Sequence, residues 1–450
     1  MGKITQIVFK NTSTIDYTLP LLWDLKKSDP NHEIQLIYCV LSKKQILRNS
    51  TFISKTLNDV GGKELDLSDF IKPTYRGLYR MLAHLFEAPE ADKQNSADIK
   101  YTQSKNPFHI LKMLLSYSKM FVSRKLQQLI INNFVDFNAF IEACDSDVVL
   151  FDNRSRTNLP GVQRIYDLLE KNKTPTVLLP HAPHYISEFE CYMPYEPNGR
   201  AITDYCDVWL PLHFAKKAEN DPAKDSQISR IGYPAFDKKW RLHLMGSQQK
   251  DPKVVNCLYI GRKFLDKGTK KPDVFDPFTL EYEEVLHDFS LMKEAFANSS
   301  HEIKLIVKPH PSSNFEMLAE LIQEAGIINF EITQEIFYGV LPQIDFCISP
   351  FSTSILLPAL SGIPTIVFNS ELQDFVHQKW NVLEKLYTNM ELYLNNNEDL
   401  SAYVKKAIEK GQNNNFENEE DLQDFSILRE YYPDNALQKG RERILELMEK

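Results

Sequence analysis

The first half of the chain alternates short apolar runs with longer helical patterns. One helical pattern runs from Leu19 to Lys27, after a polar loop over Asn11 to Thr14. Strands are predicted at Ile4 to Phe9, Ile34 to Leu41, Asp147 to Phe151, Thr176 to Pro180 and Val208 to Leu210. Such βα units place their strands parallel in one sheet, so we expect a Rossmann-like domain over residues 1–240.

The same alternation returns after a polar segment, Arg241 to Lys253, which is typical of a linker. Strands are predicted at Val254 to Ile260, Ile303 to Val307, Phe330 to Ile332, Phe346 to Ser349 and Thr365 to Phe368. Helices are predicted at Glu281 to Ala297, Phe315 to Ala325, Ile355 to Leu360 and Leu400 to Lys410. We therefore expect a second Rossmann-like domain over 253–430 and a charged terminal helix over 431–450, in an α/β fold.

Residues 64–140 have a different pattern, which predicts a helical insertion in the first domain. Within it, residues 99–135 contain no Asp or Glu but six cations: Lys100, Lys105, Lys112, Lys119, Arg124 and Lys125. Apolar residues lie between these cations. The segment is compatible with a helix lying on anionic lipid and equally with a helix packed on its own domain with lysines reaching the solvent.

Composition narrows the functional classes. A length of 450 residues exceeds what one core usually serves, which agrees with two domains. The formal net charge of −9 argues against a broad nucleic-acid-binding surface. The six cysteines form no CxxC pair and predict buried thiols in a reducing cytoplasm. We find no signal-peptide or membrane-spanning pattern, so a cytoplasmic protein is expected.

Two strand ends in the second half carry candidate chemistry. Lys308 follows the predicted strand Ile303 to Val307, and His310 comes next, between Pro309 and Pro311. Ser349 ends the predicted strand Phe346 to Ser349, and Ser352 and Thr353 follow it. The carboxyl ends of parallel strands line the ligand crevice of an open sheet, and hydroxyls at a helix start can bind an anion. The combination predicts a phosphate site. A histidine with a purely structural role and an ordinary Ser/Thr helix cap would produce the same sequence pattern.

At these residues the chain resembles the GT-B enzymes of bacterial surface-polymer synthesis. That group includes CDP-glycerol glycerophosphotransferases, polysialyltransferases and capsule Kdo transferases. His310-Pro311 matches its HP motif, Ser352-Thr353 matches its SS/T motif, and Ser361-Gly362-Ile363-Pro364 is similar to the segment that follows. The resemblance implies two Rossmann-like domains facing a cleft, with His310, Ser352 and Thr353 on the donor phosphates.

The first half carries candidates for the general base. His181 and His184 flank Pro183 after an apolar strand, where the resembling group has a histidine proposed to act on the acceptor. A neutral imidazole with a pKa of about 6.5 can take a proton from a hydroxyl at neutral pH. Asp152, at the end of its predicted strand, is a rival base. One or both histidines could equally serve only to pack the loop.

Arg262 and Lys263 follow the first strand of the second domain, after Gly261. Two cations there could neutralise a diphosphate, while a solvated basic turn explains them as well. No metal-binding motif is apparent, and inverting enzymes of the resembling group need neither metal nor a separate cofactor.

These features predict an inverting glycosyltransferase. Its donor would be a nucleotide-activated sugar, such as a CMP-linked one, and its acceptor a surface or capsular glycan, or a lipid-linked precursor. Pro350 and Pro358 stand where the glycerophosphotransferases usually have Asp, and Ala182 where they have Gly. CDP-glycerol or CDP-ribitol phosphotransfer is the alternative.

Two further classes rank lower. One is a GT-B nucleotide-sugar 2-epimerase, whose Gly-Gly-x-x-Glu-Glu segment is missing from this chain. The other is a non-catalytic protein that binds a nucleotide or a glycan. Partners would be the donor, the acceptor and a membrane surface at 99–135, with no nucleic acid.

Overall fold

The structure is a computed structural model. It describes residues 2–8, 12–39, 50–85, 133–152, 162–179, 207–209, 228–229, 231–246, 254–270, 279–310, 313–350, 352–368, 393–394, 399–413 and 433–449. The chain divides into two compact units. The first comprises Met1–Glu87, Met120–Arg241 and Leu428–Lys450, and the second comprises Ala88–Lys119 and Leu242–Ile427.

A seven-stranded parallel sheet forms the centre of the first unit. Its strands are β1 (Lys3–Val8), β2 (Glu33–Tyr38), β3 (Lys63–Asp66), β4 (Val148–Asp152), β5 (Thr176–Leu179), β6 (Asp207–Trp209) and β7 (Ile228–Ser229). They lie in the order β3-β2-β1-β4-β5-β6-β7. The order reverses direction between β1 and β4, which is the topological switch point of a doubly wound sheet.

The helices that the structure describes in this unit are α1 (Thr12–Ser28), α2 (Thr51–Asp59), α3 (Arg76–Leu85), α4 (Phe137–Ala143), α5 (Val162–Lys171), α6 (Lys238–Met245) and a terminal helix, which we call αC (Ala436–Met448). Leu437, Ile444 and Leu447 recur along one face of αC and are buried. αC packs on α1, so the end of the chain completes the first unit.

The second unit has a six-stranded parallel sheet of the same kind. Its strands are β8 (Val254–Ile260), β9 (Glu302–Lys308), β10 (Phe330–Ile332), β11 (Phe346–Pro350), β12 (Thr365–Phe368) and β13 (Tyr393–Leu394), in the order β10-β9-β8-β11-β12-β13. The described helices are α7 (Tyr282–Ala297), α8 (Phe315–Glu324), α9 (Phe337–Val340), α10 (Leu356–Leu360) and α11 (Leu400–Asn413). The switch point here lies between β8 and β11.

The predicted fold class, α/β with two Rossmann-like domains, is confirmed. The buried thiols are confirmed for Cys39, Cys144, Cys257 and Cys347, whereas Cys191 and Cys206 lie outside the described residues.

Three predicted segments have different local bounds in the structure, although the two units divide at Arg241 and Leu242, the start of the predicted linker. The polar loop Asn11 to Thr14 overlaps α1, which begins at Thr12. The predicted linker overlaps α6, which continues to Met245. The predicted insertion starts inside the first sheet, because Lys63–Asp66 is its edge strand β3. An edge strand is half exposed, so it needs no apolar run. The cationic segment 99–135 lies almost entirely outside the described residues.

Candidate active site in the second unit

The carboxyl ends of β8, β9 and β11 meet at one edge of the second sheet. The three strands are neighbours and parallel, and Ile260 at the end of β8 pairs in register with Lys308 at the end of β9. The Gly261 N–H donates a hydrogen bond of 2.9 Å to the Lys308 carbonyl just beyond this pair. The chain segments that follow these strands therefore leave the sheet side by side at its switch point, where open α/β sheets bind their ligands.

Lys308 and His310 stand on this edge, as predicted. Lys308 is the last residue of β9 and half buried, and its Nζ donates to the Gln334 carbonyl at 3.4 Å, after β10. His310 is exposed, and its carbonyl accepts a hydrogen bond of 2.9 Å from the Ser313 N–H. A primary ammonium has three protons and can donate to a phosphate in the proposed complex.

Ser349 has a structural position rather than the predicted place on a phosphate. It is fully buried in β11, and its Oγ lies 3.2 Å from the Ile260 carbonyl of β8 and 2.7 Å from the Pro350 carbonyl. A hydroxyl has a single proton to donate, and both neighbours are acceptors. Ser349 therefore closes the switch point from inside, and its assignment to phosphate binding is corrected.

Ser352 lies at the mouth of the site and is half exposed. Its Oγ accepts a hydrogen bond of 3.3 Å from the Ser354 N–H, which is the capping contact considered for this residue. Thr353 begins a 3₁₀ turn that ends at Ile355, and the α-helix that follows has five residues. The positive end of so short a helix contributes little, so side-chain donors must do most of the anion binding.

Arg262 and Lys263 do not lie in a solvent-exposed turn, which was the alternative to a phosphate-binding role. Arg262 is only 9% exposed, and its carbonyl lies 3.4 Å from the Ser313 Oγ. The Lys263 carbonyl accepts a hydrogen bond of 2.9 Å from the Leu280 N–H, while its side chain is half buried. The segment after β8 is thus fixed against neighbouring loops, and the cation of Arg262 is placed within the edge of the domain.

Two groups behind this edge have raised pKa values. Burial raises the pKa of the Tyr259 hydroxyl in β8, with a further contribution from the negative charge of Asp288. Burial, followed by the nearby charge of Glu284, raises the pKa of Asp288 to about 8. Sequence reasoning missed Asp288, as well as Ser313 and Gln334, because their roles come from tertiary contacts. The sequence hinted at Asp288 alone, because this acidic residue directly precedes the apolar residue Phe289, which is buried in α7.

The proposed base site can be placed only in part. Asp152 is the last residue of β4 and pairs in register with Leu179, the last residue of β5. This puts its backbone at the carboxyl edge of the first sheet, next to the switch point. His181 and His184 come two and five positions after Leu179 and lie outside the described residues.

Within the described ranges, no group of three or more His, Cys, Asp and Glu side chains is arranged to hold a metal ion. No helix among those residues is both long and apolar enough to span a bilayer.

Comparisons with known proteins give likeness in structure alone. No protein-family model matches the chain, and no curated protein matches it. A putative UDP-N-acetylglucosamine 2-epimerase from Listeria monocytogenes is 14% identical with a TM-score of 0.49, covering 99% of this chain and 95% of its own. UDP-GlcNAc 2-epimerase from Neisseria meningitidis, bound to UDP-GlcNAc, is 13% identical with a TM-score of 0.49, covering 99% and 100%. The wall teichoic acid polymerase TagF is 11% identical with a TM-score of 0.48, covering 99% and 89%. Likeness at this level carries no argument about chemistry.

Proposed function

We propose that the chain is an inverting GT-B glycosyltransferase that transfers a nucleotide-activated sugar, such as a CMP-linked one, to a surface or capsular glycan acceptor. The observation that carries this proposal is the position of Lys308 and His310 at the switch point of a Rossmann-like sheet. The match of His310-Pro311 to the HP motif of GT-B enzymes supports a nucleotide-phosphate ligand there. Ser352 and Thr353, which match the SS/T motif, follow β11, which is separated from β9 by β8 alone.

In the proposed reaction, the acceptor hydroxyl oxygen attacks the anomeric carbon of the donor sugar. The bond from that carbon to the phosphate oxygen breaks, its electron pair stays on the departing nucleotide, and the configuration inverts. The Lys308 ammonium, the His310 imidazole and the Ser352 hydroxyl donate to the charge that develops on the phosphate, with Arg262, Lys263 and Thr353 as further donors. No metal or separate cofactor takes part in this scheme.

The acceptor proton goes to a base of the first unit. We propose His181 for this role, with His184 and Asp152 as alternatives, because Asp152 ends β4 and both histidines follow the neighbouring strand β5 in sequence. The acceptor would be a glycan or its lipid-linked precursor. The enzyme would then act in the cytoplasm at the inner face of the plasma membrane, with segment 99–135 touching the lipid.

Donor turnover by purified protein tests the proposal. We would incubate it with UDP-, CMP-, CDP- and GDP-linked donors, with and without candidate acceptors, and measure nucleotide release. Lys308→Ala and His310→Ala should each lower kcat/KM by about 10²- to 10³-fold, the usual cost of removing one preorganised donor. His181→Ala should lower kcat and leave donor binding intact.

Two positions at the other end of the same strand provide control variants. Lys304 is a β9 residue whose Nζ pairs with the Glu331 carboxylate at 2.6 Å, and His301 immediately precedes β9 at its opposite end. Lys304→Ala and His301→Ala should keep wild-type turnover. Equal turnover in His310→Ala and His301→Ala would contradict the assignment of His310 to the donor phosphates.

The same assay separates the alternative functions. Release of CMP from CDP-glycerol with a phosphodiester product would indicate phosphotransfer. Conversion of a UDP-sugar without an acceptor would indicate an epimerase. Binding of a nucleotide that is lost in Lys308→Ala, with no turnover of any donor, would indicate a non-catalytic binder.

A further inference from the structure

Helix α3 and the turn before it expose a row of large apolar side chains. Tyr75, Leu78 and Met81 are 37%, 41% and 52% exposed, respectively. Their spacing of three places Leu78 and Met81 on one side of the helix, with Tyr75 near its start. Large apolar side chains grouped on an exposed face are characteristic of an interaction surface.

Cations accompany this row in excess. Lys72, Arg76 and Arg80 are exposed, and residues 70–86 contain no Asp or Glu although the whole chain has a net charge of −9. Lys72 Nζ donates to the Asn133 carbonyl at 3.2 Å, and Arg76 Nε donates to the Ile71 carbonyl at 3.3 Å. These acceptors are neutral, so neither contact removes the positive charge, and the acids whose charges reach Tyr79 are Asp66 and Asp69, which precede this segment.

The segment is anchored from its inner side. Tyr79 is buried, and the Tyr75 ring stacks on Phe134 with centroids 4.5 Å apart. The Lys72 N–H donates to the Phe134 carbonyl at 2.9 Å. The backbone is therefore held while Leu78 and Met81 remain outside, so the exposed row is a fixed feature of the first unit.

We propose that the surface formed by Lys72, Tyr75, Arg76, Leu78, Arg80 and Met81 docks on an anionic lipid membrane. A lipid surface offers both chemistries at once, since apolar side chains enter the acyl boundary while cations stay among the phosphates. A second copy of the chain fits less well, because a two-fold contact would bring the same cations together. Asn133 and Phe134, at the described end of segment 99–135, contact Lys72 and Tyr75, while the cations of that segment are a different set of residues.

Co-sedimentation of the full chain with vesicles tests the proposal. Vesicles of phosphatidylcholine alone would be compared with vesicles that also contain phosphatidylglycerol, at low and high salt. Binding should need phosphatidylglycerol and fall as salt screens the cations. Leu78→Glu/Met81→Glu should weaken binding at least tenfold, and Lys72→Gln/Arg80→Gln should weaken it roughly tenfold or more, because each cation near an anionic surface counts separately.

Three controls make the result specific. Ile328→Glu changes a side chain that is 94% exposed in the second unit and should bind like wild type. Neutralising Lys112, Lys119, Arg124 and Lys125 tests segment 99–135 independently. Donor turnover with a soluble acceptor should be unchanged in the α3 variants, which keeps this test distinct from that of the proposed function.

Wild-type vesicle binding by folded Leu78→Glu/Met81→Glu, checked by circular dichroism, would overturn the proposal. So would equal binding to both kinds of vesicle. Concentration-dependent self-association that these substitutions abolish, without vesicle binding, would assign the surface to a second copy instead.

Discussion

Asp288 is a partly buried carboxyl group of the second unit. It lies on α7, behind the strand end that carries the candidate phosphate site, and its pKa is raised to about 8 by burial and by Glu284. A group with a raised pKa keeps its proton in the folded state after the unfolded chain has lost it. The folded protein should therefore lose stability as pH rises from about 4 to 8.

Replacing this carboxyl by an amide removes that dependence. Asp288→Asn should have the same unfolding free energy as wild type near pH 4 and exceed it by about 2 kcal/mol or more at pH 8, since each unit of pKa shift is about 1.4 kcal/mol. Denaturant titrations at several pH values measure the difference. Glu294→Gln, an exposed position on the same helix, is the control. A constant difference between Asp288→Asn and wild type across this range would contradict the assignment.

At the scale of elements, α11 approaches the sheet through a glycine. A Cβ added to Gly411 would overlap the Asp345 carbonyl oxygen and lie 3.2 Å from its carbonyl carbon. Asp345 cannot yield easily, because its N–H donates to the Asn256 carbonyl at 3.0 Å and its carboxylate accepts from the Asn256 N–H at 2.8 Å. The close approach of helix and strand therefore depends on the missing side chain.

Gly411→Ala should destabilise the protein by about 1–3 kcal/mol, the usual cost of overpacking. Alanine normally stabilises a helix by up to about 1 kcal/mol relative to glycine, so the sign is opposite to that of propensity. Gly77→Ala in α3 is the matched control, because an added Cβ there meets nothing within 4 Å. Thermal unfolding should place the two variants on opposite sides of wild type. A rise in melting temperature for Gly411→Ala would mean that α11 can move away from Asp345.

The elements that the sequence predicted well are the buried central strands. β8 and β12, which lie inside their sheet, have the predicted limits, because apolar runs bounded by polar loops mark strands buried in a sheet. β10 also has the predicted limits, although it is an edge strand and its residues are partly or fully exposed. The missed strands are short or at an edge. β3 reads Lys-Glu-Leu-Asp, and β7 and β13 have two residues each, so neither hydrophobic pattern nor length separates them from loops.

The candidate site was predictable to the level of strand ends. The rule that ligands bind at the carboxyl edge of parallel strands was enough to bring Lys308 and His310 together. The direction of each side chain was not predictable, because neighbouring strand residues point to opposite faces. This is why Ser349, which the sequence groups with Ser352, proves to be buried against β8.

At the scale of the whole molecule, the chain leaves the first unit after Arg241 and returns at Leu428. The two passages are tied together within that unit. Arg241 Nη2 pairs with the Asp434 carboxylate at 2.9 Å, and the buried Asp237 carboxylate accepts a hydrogen bond of 2.9 Å from the Leu437 N–H. This bond caps the first turn of αC, so the start of the helix depends on a residue two hundred positions earlier.

The middle of αC is held by a buried charge on α1. The Asp24 side chain is 1% exposed and pairs with Arg441 Nη1 at 2.6 Å and with Lys239 Nζ. Arg441→Gln would leave this carboxylate with one cation. Because removing a partner from a buried pair costs more than forming the pair gains, we expect αC to lose about 1–3 kcal/mol of local stability.

Hydrogen exchange read by mass spectrometry over residues 436–448 gives the direct readout of that loss, since a docked helix opens locally before the protein unfolds. Arg441→Gln should lower protection there by about tenfold or more, as 1.4 kcal/mol corresponds to a factor of ten. Glu446→Gln removes only a surface partner of Arg443 and should leave protection within about twofold. Adding Asp24→Asn to Arg441→Gln should restore part of the protection, because the stranded charge is gone. Protection in Arg441→Gln equal to that in Glu446→Gln would show that apolar packing of Leu437, Ile444 and Leu447 alone holds the terminal helix on the first unit.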